Sequence, residues 1–454
     1  MRITSLLAAI GLSTLASCDT APSSGPDASA PPDASPAPAD ARPSPMDAAG
    51  RDAGALDGGP PPEGLVGIGD FEYAGAFRIA GGTHGASSTD FAIGTLGYCP
   101  DHGPNGSFYL AGFRPDAMVA EFALPPSLGT GTELSELPVV DRALQGFQPI
   151  LDAGGNPERL DMITGMLWVD GDLVVNANVW YDAGGEVADT TLIVRGGVLD
   201  GTIDGYFRLE GAALAAGFMA PLPPEWHGPL GGPALVGWAS NYSIISRYSV
   251  GPSLYTFDPS ALVAAAPAAR DVPTRRHQVY PHSGGRFLDP RAVESQCEAL
   301  DDEGTTVCEP GARASALWNW LATAMYGFVV PGTRTYALFG SLGGSETGIG
   351  YKIRQDDGNL CGGFCARGAR DHSNYYWFFD LNEILAAEEP WAPRPYAYGP
   401  WSVPFDGDGQ HHISGGAYAP DRGLLYLTLY GAGQVGMFDV PPVVVAYRVP
   451  SATP

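Results

Sequence analysis

The feature that most constrains this chain is a hairpin that keeps returning. "HHISGGAYAPDRGLLYLTLY" (411–430) runs from a polar end into a glycine-rich apolar strand, a Pro-Asp-Arg-Gly turn and a second strand. "DFAIGTLGYCPDHGPNGSFYLAGF" (90–113) has the same layout, as do "DMITGMLWVDGDLVVNANVWYD" (161–182) and "WLATAMYGFVVPGTRTYALFGS" (320–341). "GGPALVGWASNYSIISRYS" (231–249) is a looser copy. Short apolar runs punctuated by Gly, Pro and Asp, without long helical periodicity, define an all-β chain. Recurrence at this length means one structural unit repeated, each burying its faces against its neighbours.

Further strands complete each unit. "MVAEFALPPSL", "DTTLIV", "SLYTFDPSALV", "YYWFFDLNEIL" and "VVVAYRVP" supply third strands, two of them running into a short helical turn. "FQPIL", "GYFRLEG", "RHQVYP" and "RPYAYGPWSV" supply fourth strands. The last copy lacks a fourth strand, and the N-terminal "FEYAGAFRI" (71–79) lacks a sheet. Joining the two gives a β-propeller with five blades of four antiparallel strands, the N-terminal strand closing the last blade. Such closure removes an open edge that would otherwise invite aggregation. Glycines gather in the first strands because innermost strands crowd the axis. Six blades follow instead if 261–315 hides another sheet; its polar part, near 283–315, reads as an insertion.

Ahead of this domain, which spans 64–454, the composition changes twice. Residues 18–63 are mostly Pro, Ala, Ser, Asp and Gly, too poor in large apolar side chains to offset chain entropy, and read as a disordered tether. Residues 1–17 hold Arg2, a short apolar run and "LASC", the pattern of an export signal. "LASC" resembles the bacterial lipoprotein signal. The resemblance implies lipidation of Cys18, removal of 1–17 and an extracytoplasmic, membrane-anchored envelope protein. An oxidising compartment makes local disulfides the expected use of cysteine: Cys297 with Cys308 and Cys361 with Cys365, leaving Cys99 free in a strand. The net charge of −26 repels phosphate backbones and excludes nucleic acid as a partner. Nothing points beyond a monomer.

In a propeller, residues just before each innermost strand line one end of the central channel. By the repeat these are His84 and Asp90, Arg159 and Asp161, Glu225, Trp226 and His227, Trp320, and Gln410 with His411. Aromatic rings cover apolar sugar faces, while carboxylates and arginine bond hydroxyls or uronates, so the set points to carbohydrate. Glycosidic hydrolysis would use Asp90 or Asp161 as base and Glu225 as acid. Uronate elimination would use His227 or His411 as base beside Arg159. A noncatalytic glycan- or protein-binding propeller is the alternative. No cofactor is called for; "DGDG" (406–409) resembles the start of a calcium loop but lacks its further ligands. At the level of fold the layout resembles five-bladed propeller glycosidases, which draw acids from separate blades. With "GAFRI", "GGPALVG" and "SGGAYAPDRGLLYL" it is also similar, over most of 64–454, to exported bacterial propeller proteins of uncharacterised activity.

Overall fold

Short strands linked by tight turns bury little surface singly, so they form small twisted sheets that stack face to face. In the computed structural model, which describes residues 61–182, 185–238, 249–268, 270–282, 284–289, 299–300, 306–307 and 314–450, five antiparallel sheets stand in a ring. Blade 1 runs Leu96–Cys99, Ser107–Ala111, Val119–Ala123 and Ala143–Gln148. Blade 2 runs Met162–Val169, Asp172–Asn178, Thr191–Val194 and Ile203–Leu209. Blade 3 runs Met219–Pro221, Ala234–Val236, Leu254–Phe257 and Arg275–Gln278. Blade 4 runs Thr323–Val329, Thr335–Gly343, His372–Asp380 and Ala397–Pro400. Blade 5 runs Ile413–Ala419, Leu424–Leu429 and Val443–Arg448, and its fourth strand is Glu72–Ile79 from the other end of the described chain. Each first strand touches the first strands of both neighbouring blades, so the ring is closed.

The closing strand pairs Glu72 with Arg448 and Arg78 with Val443, as the unmatched N-terminal strand predicted. Its flanks reach further. Phe71 packs its ring on Phe339 and Phe378 of blade 4, with centroids 5.4 and 5.7 Å away. Phe77 meets Phe108 of blade 1 at 5.5 Å. The outer edges of two blades are capped by a common device: Val139–Val140 lies parallel to the end of the closing strand, and Asp271–Val272 lies parallel to the end of Ile203–Leu209. Each is a two-residue strand lent by the following blade, and each shields backbone groups that would otherwise template aggregation.

Crowding at the axis is visible in two glycines. A Cβ on Gly165 would collide with the carbonyl oxygen of Gly217, and one on Gly415 with that of Gly94. Backbones of neighbouring blades therefore meet without side chains between them. The third strands of blades 3 and 4 run into helices Pro259–Ala265 and Leu381–Ala386, capped by the carboxylates of Asp258 and Asp380, which accept from the backbone N–H of Ala261 and Asn382 at 2.9 Å.

Three expectations shift. The first strand of blade 3 is Met219–Pro221, not the start of "GGPALVGW", which provides the second strand. The helix Pro224–Leu230 fills the connection between them. The fourth strand of blade 1 is Ala143–Gln148, a few residues before "FQPIL", whose end turns into the helix Ile150–Ala153. Among the described residues, 261–315 adds no sixth sheet to the ring; Ala299–Leu300 pairs only with Thr306–Val307. Cys361 and Cys365 form the expected disulfide, within an excursion of blade 4 whose strands Ile349–Tyr351 and Phe364–Ala366 pair. Cys297, Cys308, Cys18 and the whole of 1–60 lie outside the described residues. No helix among the described residues is long and apolar enough to cross a membrane.

Candidate functional site

A propeller has two ends. At one, first strands begin; at the other, they turn back into second strands. The sequence places its candidates at the first end, and most of them are there, each occupied with its own loop. Asp90 accepts from the Gly82 N–H and Ser88 hydroxyl at 2.9 Å through Oδ2, and from the Val440 N–H at 2.9 Å through Oδ1. It thereby ties blade 1 to the loop between the second and third strands of blade 5. His84 lies on the strand Thr83–His84, its Nε2 3.3 Å from the Ala80 carbonyl and its ring edge-on to Phe122. Exposed Asp161 accepts from the Trp180 N–H at 2.8 Å. Arg159 is exposed beside it, in a left-handed turn with φ 59°. Arg114 covers the face of Trp180 at 4.3 Å.

On blade 5, His411 Nδ1 sits 3.1 Å from the Tyr430 carbonyl and Gln410 is exposed. The Asp406 carboxylate accepts from Val403 N–H and Asp408 N–H, so the "DGDG" segment is a turn that uses its own acid. Trp320 is buried against Phe364, centroids 4.6 Å apart, and serves packing. His412 is half-buried beside His372, and burial first, then the two neighbouring histidines, push its pKa down to about 4.

Glu225, Trp226 and His227 are not with the others. Because the first strand of blade 3 precedes them, they lie on the helix Pro224–Leu230 at the turn end. There Glu225 accepts from the Gly332 N–H at 2.9 Å and Trp226 Nε1 donates to the Thr333 carbonyl at 2.9 Å, both in the hairpin turn of blade 4. His227 Nε2 lies 2.8 Å from the Leu222 carbonyl. Glu225 and Trp226 thus fasten blade 3 to blade 4, while His227 ties the helix to the end of its own first strand. Among the described residues no hydrogen bond or ion pair joins Asp90, Asp161, Glu225 and His411 to one another.

One carboxyl pair does exist at the first end. Asp439 lies beside Asp90, and burial, followed by the Asp90 charge, raises its pKa. The Asp90 oxygens of this pair are already engaged by the loop.

The cavity that all five blades share is at the turn end. It holds about 210 Å³, and its wall includes Tyr98, Trp168, Met219, Tyr326 and Tyr418. Asp421 supplies a carboxylate at the wall, accepting from the Tyr98 hydroxyl at 2.9 Å, while Arg422 Nε donates to that hydroxyl at 3.2 Å. Tyr326, fully buried, accepts from the Tyr418 N–H at 2.8 Å. The Pro-Asp-Arg-Gly turn, through Pro420 and Asp421, therefore shapes the cavity. Beside it, Cys99, His102 and Glu121 of blade 1 come together. No protein-family model matches the chain and no curated protein matches it in sequence. The chain is thus defined by its architecture: a five-bladed β-propeller with an aromatic cavity where its innermost hairpins turn.

Proposed function

We propose that this propeller is a noncatalytic ligand-binding protein, and that its ligand is a carbohydrate end group seated in the turn-end cavity. The observation that carries this reading is the wall itself: four aromatic rings from four blades, with the Asp421 carboxylate accepting from the Tyr98 hydroxyl. Rings of this kind cover the apolar faces of a sugar, and a few convergent polar groups fix its orientation. The volume is below the usual range of about 300–1,000 Å³ for ligand pockets, which suits a single ring-sized group. A binding role is favoured over hydrolysis because the proposed base and acid, Asp161 and Glu225, belong to opposite ends of the ring.

The test is a glycan array followed by titration calorimetry on the full chain, with Trp168→Ala, Asp161→Asn and His411→Ala. Binding should weaken at least tenfold in Trp168→Ala, about 1.4 kcal/mol, and stay unchanged in the other two. Loss of binding in Asp161→Asn or His411→Ala, with Trp168→Ala unaffected, would move the site to the other end. Release of reducing ends or of an unsaturated, ultraviolet-absorbing product would replace this reading by a hydrolase or lyase.

The same proposal places the propeller outside the cytoplasm on a lipid anchor at Cys18. The "LASC" pattern and the proline-rich tether support it. Metabolic labelling with a fatty acid should mark the wild type and not Cys18→Ala, which should leave the membrane fraction. Equal labelling of both would refute the anchor.

A further inference from the structure

Blade 1 carries a cluster that the binding reading does not use. Glu121 stands in the third strand, in "MVAEFAL", where every neighbour is apolar, and its side chain is only 2% exposed. An ionised carboxylate at such a site needs compensation. Neither Lys nor Arg provides it: among the described residues its ion-pair partner is His102, with Nδ1 2.8 Å from Oε1. Ser107 donates to Oε1 at 2.5 Å and Gln145 to Oε2 at 2.6 Å. Cys99, fully buried and free of any disulfide, completes the group at the end of the first strand. Its sulfur, a nitrogen of His102 and an oxygen of Glu121 all lie within 4.8 Å of one another.

We propose that Cys99, His102 and Glu121 form a binding site for a transition-metal dication of zinc's class. Thiolate, imidazole and carboxylate are the ligand types this class takes, at about 2.3, 2.0–2.1 and 2.0–2.2 Å. From the present spacing, small side-chain rotations bring the three donors onto one ion. Binding displaces the Cys99 proton to solvent, and the ion's two positive charges then balance one thiolate and one carboxylate in a site that otherwise holds a buried anion. The outer contacts that orient metal ligands are also present. Gln145 and Ser107 fix the carboxylate, and the Trp168 ring stands edge-on to His102 with centroids 4.9 Å apart. Three protein ligands leave a coordination position for water. His102, 31% exposed, is the side from which an ion enters. Trp168 also lines the cavity, so the metal site and the cavity share a wall, although the site stands independently of what the cavity binds.

The experiment uses the full chain, stripped with chelator and titrated with Co²⁺ and then with Zn²⁺ against a chromogenic chelator. One equivalent of Co²⁺ should bind with a near-ultraviolet thiolate-to-cobalt charge-transfer band. Zn²⁺ should displace it. Cys99→Ser should abolish the band. His102→Gln, at a partly exposed position that the fold tolerates, should weaken Zn²⁺ binding about 100-fold or more, since even outer-shell partners are worth roughly 10–100-fold. Gln145→Leu should weaken it about tenfold. A band that persists in both Cys99→Ser and His102→Gln would assign the ion to another thiol and overturn the proposal. Cobalt bound without a band, through surface acids, would do the same. Circular dichroism of His102→Gln confirms that any loss is not unfolding.

Discussion

Removing residues 64–80 should abolish cooperative folding of the propeller, and reattaching 71–80 behind residue 449 through a short linker should restore it. The segment gives blade 5 its fourth strand and touches three blades, through Phe71 on blade 4 and Phe77 on blade 1. Phe71, Phe77 and Ile79 are each at most 5% exposed. At about 1.5–3 kcal/mol per buried apolar side chain, these three alone account for roughly 5–9 kcal/mol, comparable with the whole stability of a typical domain, about 5–15 kcal/mol. Further support comes from upstream: Arg334 donates to the Glu63 carbonyl at 2.7 Å, and Tyr396 donates to that of Val66 at 2.8 Å. The permuted chain is feasible because Glu72 already faces Arg448 across the sheet, so a tight hairpin connects them. Thermal melts and size-exclusion profiles read the result. A truncated chain that remains monomeric with an unchanged melt would show that the closing strand is dispensable. A permuted chain that fails to fold would show that the stretch before Phe71 is the essential part.

The closing strand was legible because its absence left a gap: four copies with an outer strand and one without, plus a strand with no sheet. Third strands and their Asp-capped helical turns were legible through alternation and through the aspartate that ends each strand. Blade 3 misled for a physical reason. Its first strand is three residues long and ends in "PLPP", so proline interrupts the apolar run that marks the other inner strands, while "ALVGW" imitates one. That slip by one strand carried Glu225, Trp226 and His227 to the wrong end of the ring. The cavity was not legible from the residues before the first strands, because those at the strand ends line it. A signal existed: Tyr98-Cys99-Pro100-Asp101 and Tyr418-Ala419-Pro420-Asp421 repeat a Tyr-x-Pro-Asp turn in blades 1 and 5, and both tyrosines face the cavity. Glu121 was visible too, as the single acid within an apolar strand. Its meeting with Cys99 and His102 depends on register across three strands, which no local pattern encodes.

Acidification should destabilise the protein well above the range in which its surface carboxylates titrate. Two histidines, buried His277 and half-buried His412, are pushed down furthest. Burial, reinforced by the neighbouring His372 and His411, pushes His412 down to about 4. Burial, reinforced by Arg275 and opposed by the Leu230 carbonyl, pushes His277 down to about 4. In the unfolded chain each titrates near 6.5. Between pH 6.5 and 4 the unfolded state therefore binds more protons than the folded one, and stability falls as pH falls. It is fully present above about 6.5. At about 1.4 kcal/mol per pH unit, each histidine removes up to about 2 kcal/mol by pH 5. Denaturant midpoints at pH 7.5 and 5.0 measure the drop, and two variants assign it. His412→Phe removes an imidazole whose buried Nδ1 has no hydrogen-bond partner, so it should cost little at pH 7.5 and reduce the drop by about 2 kcal/mol. His277→Gln keeps a donor within reach of the Leu230 carbonyl, 3.0 Å from Nε2 in the wild type, and should reduce it similarly. The residues share no contact, so the double variant should lose about twice as much of the pH dependence. If the wild-type drop survives intact in both single variants, the two histidines do not control acid sensitivity.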